Sequence, residues 1–167
     1  MKKIKAFVLD ADGVLTDAKI YISDSGEEMK SFNSKDGQGL KLIMRAGIKV
    51  AVITGRTSRA LEHRCRELGI EHLIQNARDK RIDLQDLARK LDCATAEMAF
   101  MGDDVVDLPA MMQCGLSFAP RDAVDIVKTK ADYVTEQGGG QGAVREAVEI
   151  ILKHIGMYDQ IMERYLK

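Results

Sequence analysis

The chain has little of what marks the special classes of protein. It has two prolines among 167 residues, so there is no Pro-rich linker, and it shows no internal repeat or low-complexity run. Charge of one sign is also lacking: 25 Lys plus Arg stand against 26 Asp plus Glu, a net of -1. That excludes a global basic field for nucleic acid and an acidic tail. No apolar run approaches the roughly 18 residues of a membrane span. The stretch from Met1 to Asp10 has two lysines but too short an apolar segment for a secretory signal. The three cysteines, Cys65, Cys93 and Cys114, are odd in number and form no CxxC pair. They read as reduced thiols of a cytoplasmic protein. What the chain does have is a 46% hydrophobic content, enough to exclude wholesale disorder and to build the core of one domain over residues 1–167.

Short apolar runs alternate with helical patterns. Ile4 to Leu9, Ile48 to Ile53 and Met98 to Met101 read as strands buried on both faces, with shorter ones at Leu73–Ile74, Leu116–Phe118 and Tyr133–Val134. Helical patterns run at roughly Gly39–Ala46, Ser58–Leu68, Lys80–Leu91, Asp107–Gln113, Ala123–Val127 and Ala143–His154. The alternation predicts an α/β fold, a Rossmann-like parallel sheet with helices on both faces. One segment breaks the rhythm: Ala18 to Phe32 reads as two short strands around Ser23-Asp24-Ser25-Gly26, a β-hairpin flap over the C-terminal edge of the sheet. Ile155 to Lys167 reads as a C-terminal tail.

Ligands of an open parallel sheet bind outside the carboxyl ends of its strands. There the sequence places Asp10-Ala11-Asp12-Gly13, then Thr54-Gly55-Arg56, then Lys80 at a helix start, then Gly102-Asp103-Asp104-Val105-Val106-Asp107. The set suits phosphoryl transfer through an aspartyl phosphate. Asp10 is the candidate nucleophile, and Asp12 can protonate the leaving alcohol and later take a proton from water. Thr54 and Lys80 can hold the phosphoryl oxygens. A hard cation such as Mg2+, held by the carboxylates, would lower the repulsion between nucleophile and phosphate. Singly, each residue has a plainer role: an Asp after a strand caps a turn, Thr-Gly is a common strand exit, and a lysine is most often solvated. The joint order of four motifs, each in its structural place, favours the chemical reading.

With those residues in hand, the chain resembles the haloacid dehalogenase superfamily of Mg2+-dependent phosphohydrolases. Asp10–Asp17 (DADGVLTD) is similar to its first motif, Ile53-Thr54-Gly55 to its second, Lys80 to its third and Gly102–Asp107 (GDDVVD) to its fourth. The resemblance implies Asp10 as nucleophile, Asp12 as acid/base, and Thr54 and Lys80 as phosphate ligands. It implies a metal held by Asp10, the Asp12 carbonyl and Asp103, with Asp107 in or near the metal shell. A narrower match covers Glu27–Asn33, Asp36-Gly37, Thr54-Gly55-Arg56, Arg64-Cys65, Gly69-Ile70 and Gly139–Glu146. These resemble the 3-deoxy-D-manno-octulosonate 8-phosphate phosphatases, small capless tetramers that serve lipopolysaccharide synthesis. Asn76 stands where that family leads one to expect glycine.

The residues between Asp10 and Asp103 are used up by sheet, helices and hairpin, so no cap domain remains. A capless phosphatase of a small substrate borrows its lid, which predicts a closed homo-oligomer, a tetramer by the resemblance, with shared active sites. The hairpin and the apolar tail are the candidate shared parts. Arg56, beside the phosphate site, can pair with the carboxylate of a sugar acid. Arg64 lies about two helical turns further on, and Gly55 completes the substrate-binding set. Gly138–Gly142 reads either as a backbone approach to a ligand or as a hinge, and Arg145 is a secondary candidate. The competing readings are a phosphatase of a nine-carbon sugar acid 9-phosphate, disfavoured because a Glu in place of Arg56 would mark it, and a non-catalytic oligomerisation module of a sugar-nucleotide enzyme.

Overall fold

The computed structural model describes residues 3–167; Met1 and Lys2, which open the stretch weighed above as a leader, lie outside the described residues. Six parallel strands, β1 (Ala6–Leu9), β4 (Lys49–Ile53), β5 (His72–Ile74), β6 (Met98–Met101), β7 (Leu116–Ala119) and β8 (Tyr133–Val134), form one sheet in the order β5-β4-β1-β6-β7-β8. The chain builds outward from β1 on one side, then returns to build outward on the other. The crevice between β1 and β6 is therefore the point where the strand order reverses. Leu9 pairs in register with Val52 and with Met101, so the three loops that follow leave the sheet at one level.

The apolar strands serve two layers. Phe7 and Leu9 face one way, with Val50, Val52 and Phe118, and pack against α1 (Ser34–Arg45), α2 (Arg59–Leu68) and α6 (Ala143–His154). Ala6 and Val8 face the other way, with Phe100 and Ile53, and pack against α3 (Lys80–Lys90), α4 (Leu108–Met111) and α5 (Asp125–Lys130). This is the period-two alternation of a strand buried on both sides. Phe7, Phe100 and Phe118 are completely buried, each stabilising the fold by about 1.5–3 kcal/mol through its apolar surface.

The helix α6 and the strand β6 match the sequence reading; other boundaries differ for local reasons. Helix α1 starts at Ser34, ahead of the expected Gly39, because Asn33 caps it by accepting from the Lys35 and Asp36 amides. The two glycines within it are packing sites: a Cβ at Gly37 would lie 2.2 Å from the Arg64 guanidinium, and one at Gly39 would lie 3.2 Å from the Arg145 Cα. Helix α5 begins two residues later than expected and runs on to Lys130. The expected helix at Asp107–Gln113 is a 3-10 turn, Val105–Asp107, followed by the short α4.

The hairpin is present as β2 (Tyr21–Ile22) paired antiparallel with β3 (Glu28–Met29). Its turn closes with the Gly26 amide donating to the Ser23 carbonyl, Gly26 sitting at φ +82°. The tail is helical, α7 (Tyr158–Met162) and a 3-10 turn Glu163–Tyr165. It lies back on its own chain: Ile155, Met157, Ile161 and Met162 pack on the α1/α6 layer. The Tyr165 hydroxyl accepts from Gln38 and Arg45 of α1.

Candidate active site

Asp10 follows β1 directly, its amide donating to the Met101 carbonyl at 3.0 Å. The chain then turns tightly, the amides of Val14, Leu15 and Thr16 all donating to the Ala11 carbonyl. Gly13 sits in this turn at φ +84°, and a Cβ there would lie 1.9 Å from Asp103 Oδ2. Only glycine gives both the backbone angle and the room. The first and fourth motifs thus interlock, and the fourth is itself tightly folded at Gly102, where a Cβ would lie 2.4 Å from the Asp107 Cβ.

Lys80 is the first residue of α3, behind Asp79, whose side chain accepts from the Arg81 and Ile82 amides. Side chains in a first helical turn lean toward the N-terminus, and Lys80 reaches the carboxyl edge of the sheet. Its Nζ lies 2.8 Å from Asp10 Oδ1 and 2.6 Å from Asp107 Oδ1. Burial works against the ammonium, but Asp10 and Asp107 outweigh it and hold its pKa above the ordinary lysine value. Asp107 is completely buried, and its Oδ2 accepts from the Asp103 and Asp104 amides at 3.0 and 3.2 Å. Both its oxygens are engaged, so its work is to fix Lys80 and the Asp103 loop. Asp104 caps the following 3-10 turn, accepting from the Val105 amide.

Asp10, Asp103 and Asp107 bring carboxylate oxygens within 4.8 Å of one another. Burial and the charge of Asp107 push the Asp10 pKa up, with Lys80 pulling it back. Burial and the charges of Asp10, Asp107 and Asp104 push Asp103 up to about 8. Lys80 is bound to two of the three carboxylates, and Asp103 has no such partner. A hard, all-oxygen donor set with one uncompensated carboxylate fits a divalent ion such as Mg2+.

Thr54 is buried, with its Oγ accepting from the Arg56 amide at 3.5 Å and its carbonyl accepting from the Ala77 amide at 3.0 Å. Asn76, in the expected glycine position, lies at φ +56°, a left-handed conformation that asparagine tolerates better than other side chains. Asp10, Asp12, Thr54, Gly55, Arg56, Lys80 and Asp103 line one cleft of about 690 Å³, together with Arg78 and Arg81, which the motifs did not mark.

The sequence reading also missed two residues of the hairpin. Lys30 Nζ lies 2.5 Å from Asp12 Oδ1 and 3.0 Å from Glu28 Oε1. Glu28 Oε2 accepts from the Arg56 guanidinium, whose Nε lies 3.6 Å from Asp12 Oδ2. Asp12, Lys30, Glu28 and Arg56 thus close a ring of alternating charge. The available signals were the match over Glu27–Asn33, which gave neither residue a role, and the acidic–basic pair at positions 28 and 30, whose side chains share a face in an extended segment.

Arg64 does not join this cleft. It lies over the Phe32 ring at 5.9 Å, pairs with Glu67 at 2.9 Å and donates to the Asn33 carbonyl. Helix α2 starts afresh at its Ser58 cap, so two turns beyond Arg56 point toward α1. The Gly138–Gly142 stretch does bring backbone close, but to protein. A Cβ at Gly139 would lie 1.9 Å from the Gly13 carbonyl oxygen, and the Gly140 amide donates to the Val14 carbonyl at 3.0 Å. Arg145 pairs with Glu149 at 2.6 Å, and its amide, with that of Gly142, is capped by buried Asp36 of α1. The three cysteines are free, burial pushing Cys65 up to about 11 and Cys114 up to about 12.

A family model described as haloacid dehalogenase-like hydrolase matches residues 72–146. The 3-deoxy-D-manno-octulosonate 8-phosphate phosphatase KdsC of Escherichia coli (strain K12) is 44% identical over 159 residues, 95% of this chain and 85% of that protein. The crystal structure of the Moraxella catarrhalis 3-deoxy-D-manno-octulosonate 8-phosphate phosphatase, in complex with magnesium ion, phosphate ion and KDO, superposes with a TM-score of 0.95 at 38% identity, covering 98% of this chain and 94% of that one. The cobalt-bound Haemophilus influenzae phosphatase gives 0.92 at 39% identity, covering 99% and 98%. The interlocked acidic loops, the Lys80 bridge and these likenesses agree: the chain belongs to the haloacid dehalogenase-like hydrolases, and among them to the 3-deoxy-D-manno-octulosonate 8-phosphate phosphatases.

Proposed function

We propose that this chain is a Mg2+-dependent phosphatase that hydrolyses 3-deoxy-D-manno-octulosonate 8-phosphate, for lipopolysaccharide precursor synthesis. The observation that carries the reading is one cleft holding Asp10, Asp12, Thr54, Lys80 and Asp103 with the guanidinium of Arg56 at its rim. The assembled set sets aside the oligomerisation-module reading. Arg56 supplies the partner for the acid's carboxylate and favours the eight-carbon over the nine-carbon acid.

Asp10 attacks phosphorus as a carboxylate; its P–O bond forms as the bond to the sugar oxygen breaks. Asp12 gives that oxygen its proton, then takes one from the water that attacks the aspartyl phosphate and regenerates Asp10. Lys80 stays charged between Asp10 and Asp107, fixing the nucleophile and meeting the phosphoryl charge together with the Thr54 hydroxyl. Asp10, the Asp12 carbonyl and Asp103 would hold the Mg2+, which supplies charge neutralisation between carboxylate and phosphate.

The finer reading takes residues 1–167 as one phosphatase domain in a homotetramer whose sites border a neighbouring chain. Ile20, Tyr21, Ile22 and Met29 of the hairpin are all exposed, an apolar strip that supports a protein contact there. Most of the tail covers its own core; of its apolar residues, Leu166 is the most exposed. Three free thiols support a reducing, cytoplasmic setting. Membranes and nucleic acid are not expected partners, and no helix of the described residues is long and apolar enough to cross a membrane.

Phosphate release from a panel of phosphorylated sugar acids, with Mg2+, tests the assignment. The eight-carbon acid 8-phosphate should give the highest kcat/KM. A higher value for the nine-carbon acid 9-phosphate would transfer the assignment, and no release from any phosphomonoester would refute the mechanism.

A further inference from the structure

Glu28 holds the group that the proposed substrate needs. Its Oε2 takes the hydrogen bond from the Arg56 guanidinium. Its Oε1 is buried with no hydrogen-bond partner among the described residues, although the Lys30 ammonium lies 3.0 Å away. The carboxylate is thus hydrogen-bonded to Arg56 through one oxygen and held to Lys30 by an ion pair through the other, on a strand of two residues, while Arg56 remains 45% exposed to the cleft. We propose that Glu28 is an internal stand-in for the substrate's carboxylate, exchanged for it at Arg56 when a sugar acid phosphate enters. The proposal rests on the reading of Arg56 as the partner of that carboxylate.

The exchange is charge-conserving. An incoming carboxylate replaces Glu28 at the guanidinium, and Glu28 keeps its ion pair with Lys30 while its freed oxygen turns to water. A neutral sugar phosphate has no carboxylate to offer Arg56, so Glu28 stays paired and the guanidinium is withheld from the substrate. Glu28 thus discriminates through competition for Arg56. Because Lys30 follows Glu28 by two residues, just past the end of β3, loading the site also loosens one of the two ties that hold the hairpin to the cleft.

The test compares kcat/KM for the sugar acid phosphate with that for a neutral ketose phosphate in wild type, Glu28→Gln and Arg56→Ala. Glu28→Gln should change the acid-to-neutral ratio by about 2- to 5-fold, the span an exposed ion pair supplies, and Arg56→Ala should collapse it. An Arg56→Ala loss equal for both substrates would defeat the reading of Arg56. A selective Arg56→Ala with a Glu28→Gln ratio equal to wild type would overturn the exchange alone. A second measurement leaves Glu28 intact: Met29→Trp, at an exposed position, should change fluorescence when the phosphate-free keto sugar acid binds and not when a neutral ketose phosphate does. Calorimetric binding of the acid with no fluorescence change would also overturn the exchange.

Discussion

The cleft has two unlike halves. The strand-end half is buried and locked: Asp107 is wholly enclosed, Lys80 is held by two carboxylates, Gly13 leaves no room for a side chain between the acidic loops, and Gly102 leaves none within the second of them. The hairpin half has strands of two residues, an exposed apolar strip, and makes its ionic contacts with the cleft through Lys30 and Glu28. Geometry that must be right for every phosphate ester belongs in the first half, where packing enforces it. Choice among esters belongs in the second, where a few ionic contacts can be exchanged at small cost. Asp12 sits at the seam, on the first motif but bonded to the hairpin.

The sharpest break falls on the locked half. Asp10→Asn should lower kcat by at least about 10³-fold for every substrate, with circular dichroism unchanged; appreciable turnover would end the nucleophile assignment. At the seam, Asp12→Asn should cost about 10²–10⁴-fold on a sugar phosphate, which needs a proton at its leaving oxygen. An aryl phosphate, a good leaving group, should lose only a few-fold, and equal losses would remove Asp12 from the proton transfer. Gly13→Ala, pushing against Asp103, should weaken Mg2+ activation by roughly 10–100-fold, seen as a higher metal concentration for half-activity.

A smaller effect concerns stability. The Asp103 pKa, raised from 3.8 to about 8, means the unfolded chain ionises first as pH rises. Stability of the metal-free protein should therefore fall between about pH 4 and pH 8, with Asp10 and Asp36, also raised, adding to the slope. Glu28 and Glu97 are held below their usual range and act beneath that window. Mg2+ should flatten the slope, and a metal-free Tm constant across the window would contradict the cluster's like-charge repulsion.

The locked half was legible in the sequence because its residues follow directly on strands whose register brings them level. Apolar runs mark the strands, and the loop after each one carries a motif. The hairpin's chemistry was not legible, since nothing local says that Lys30 lands on Asp12. Arg64 misled because a helix count from Arg56 ignores the break in direction at Ser58. The glycines misled twice: the helix expected from Gly39 left out five residues of α1, Gly37 among them, and Gly138–Gly142 suggested ligand or hinge. In each case the missing Cβ admits another segment of the chain, a fact of tertiary packing that no local pattern carries.

The contact of Gly139 and Gly140 with the Gly13–Thr16 turn has a bearing on biosynthesis. The nucleophile is made well before its brace: the turn that holds it is supported by a segment about 125 positions downstream. A ribosome-bound chain has translated most of the sheet before that brace emerges from the exit tunnel. Loop closure across so long a separation comes late and is entropically costly. The site is thus completed only once Gly139 and Gly140 have emerged, and nascent fragments ending before Gly139 carry all four acidic and basic motifs without that brace.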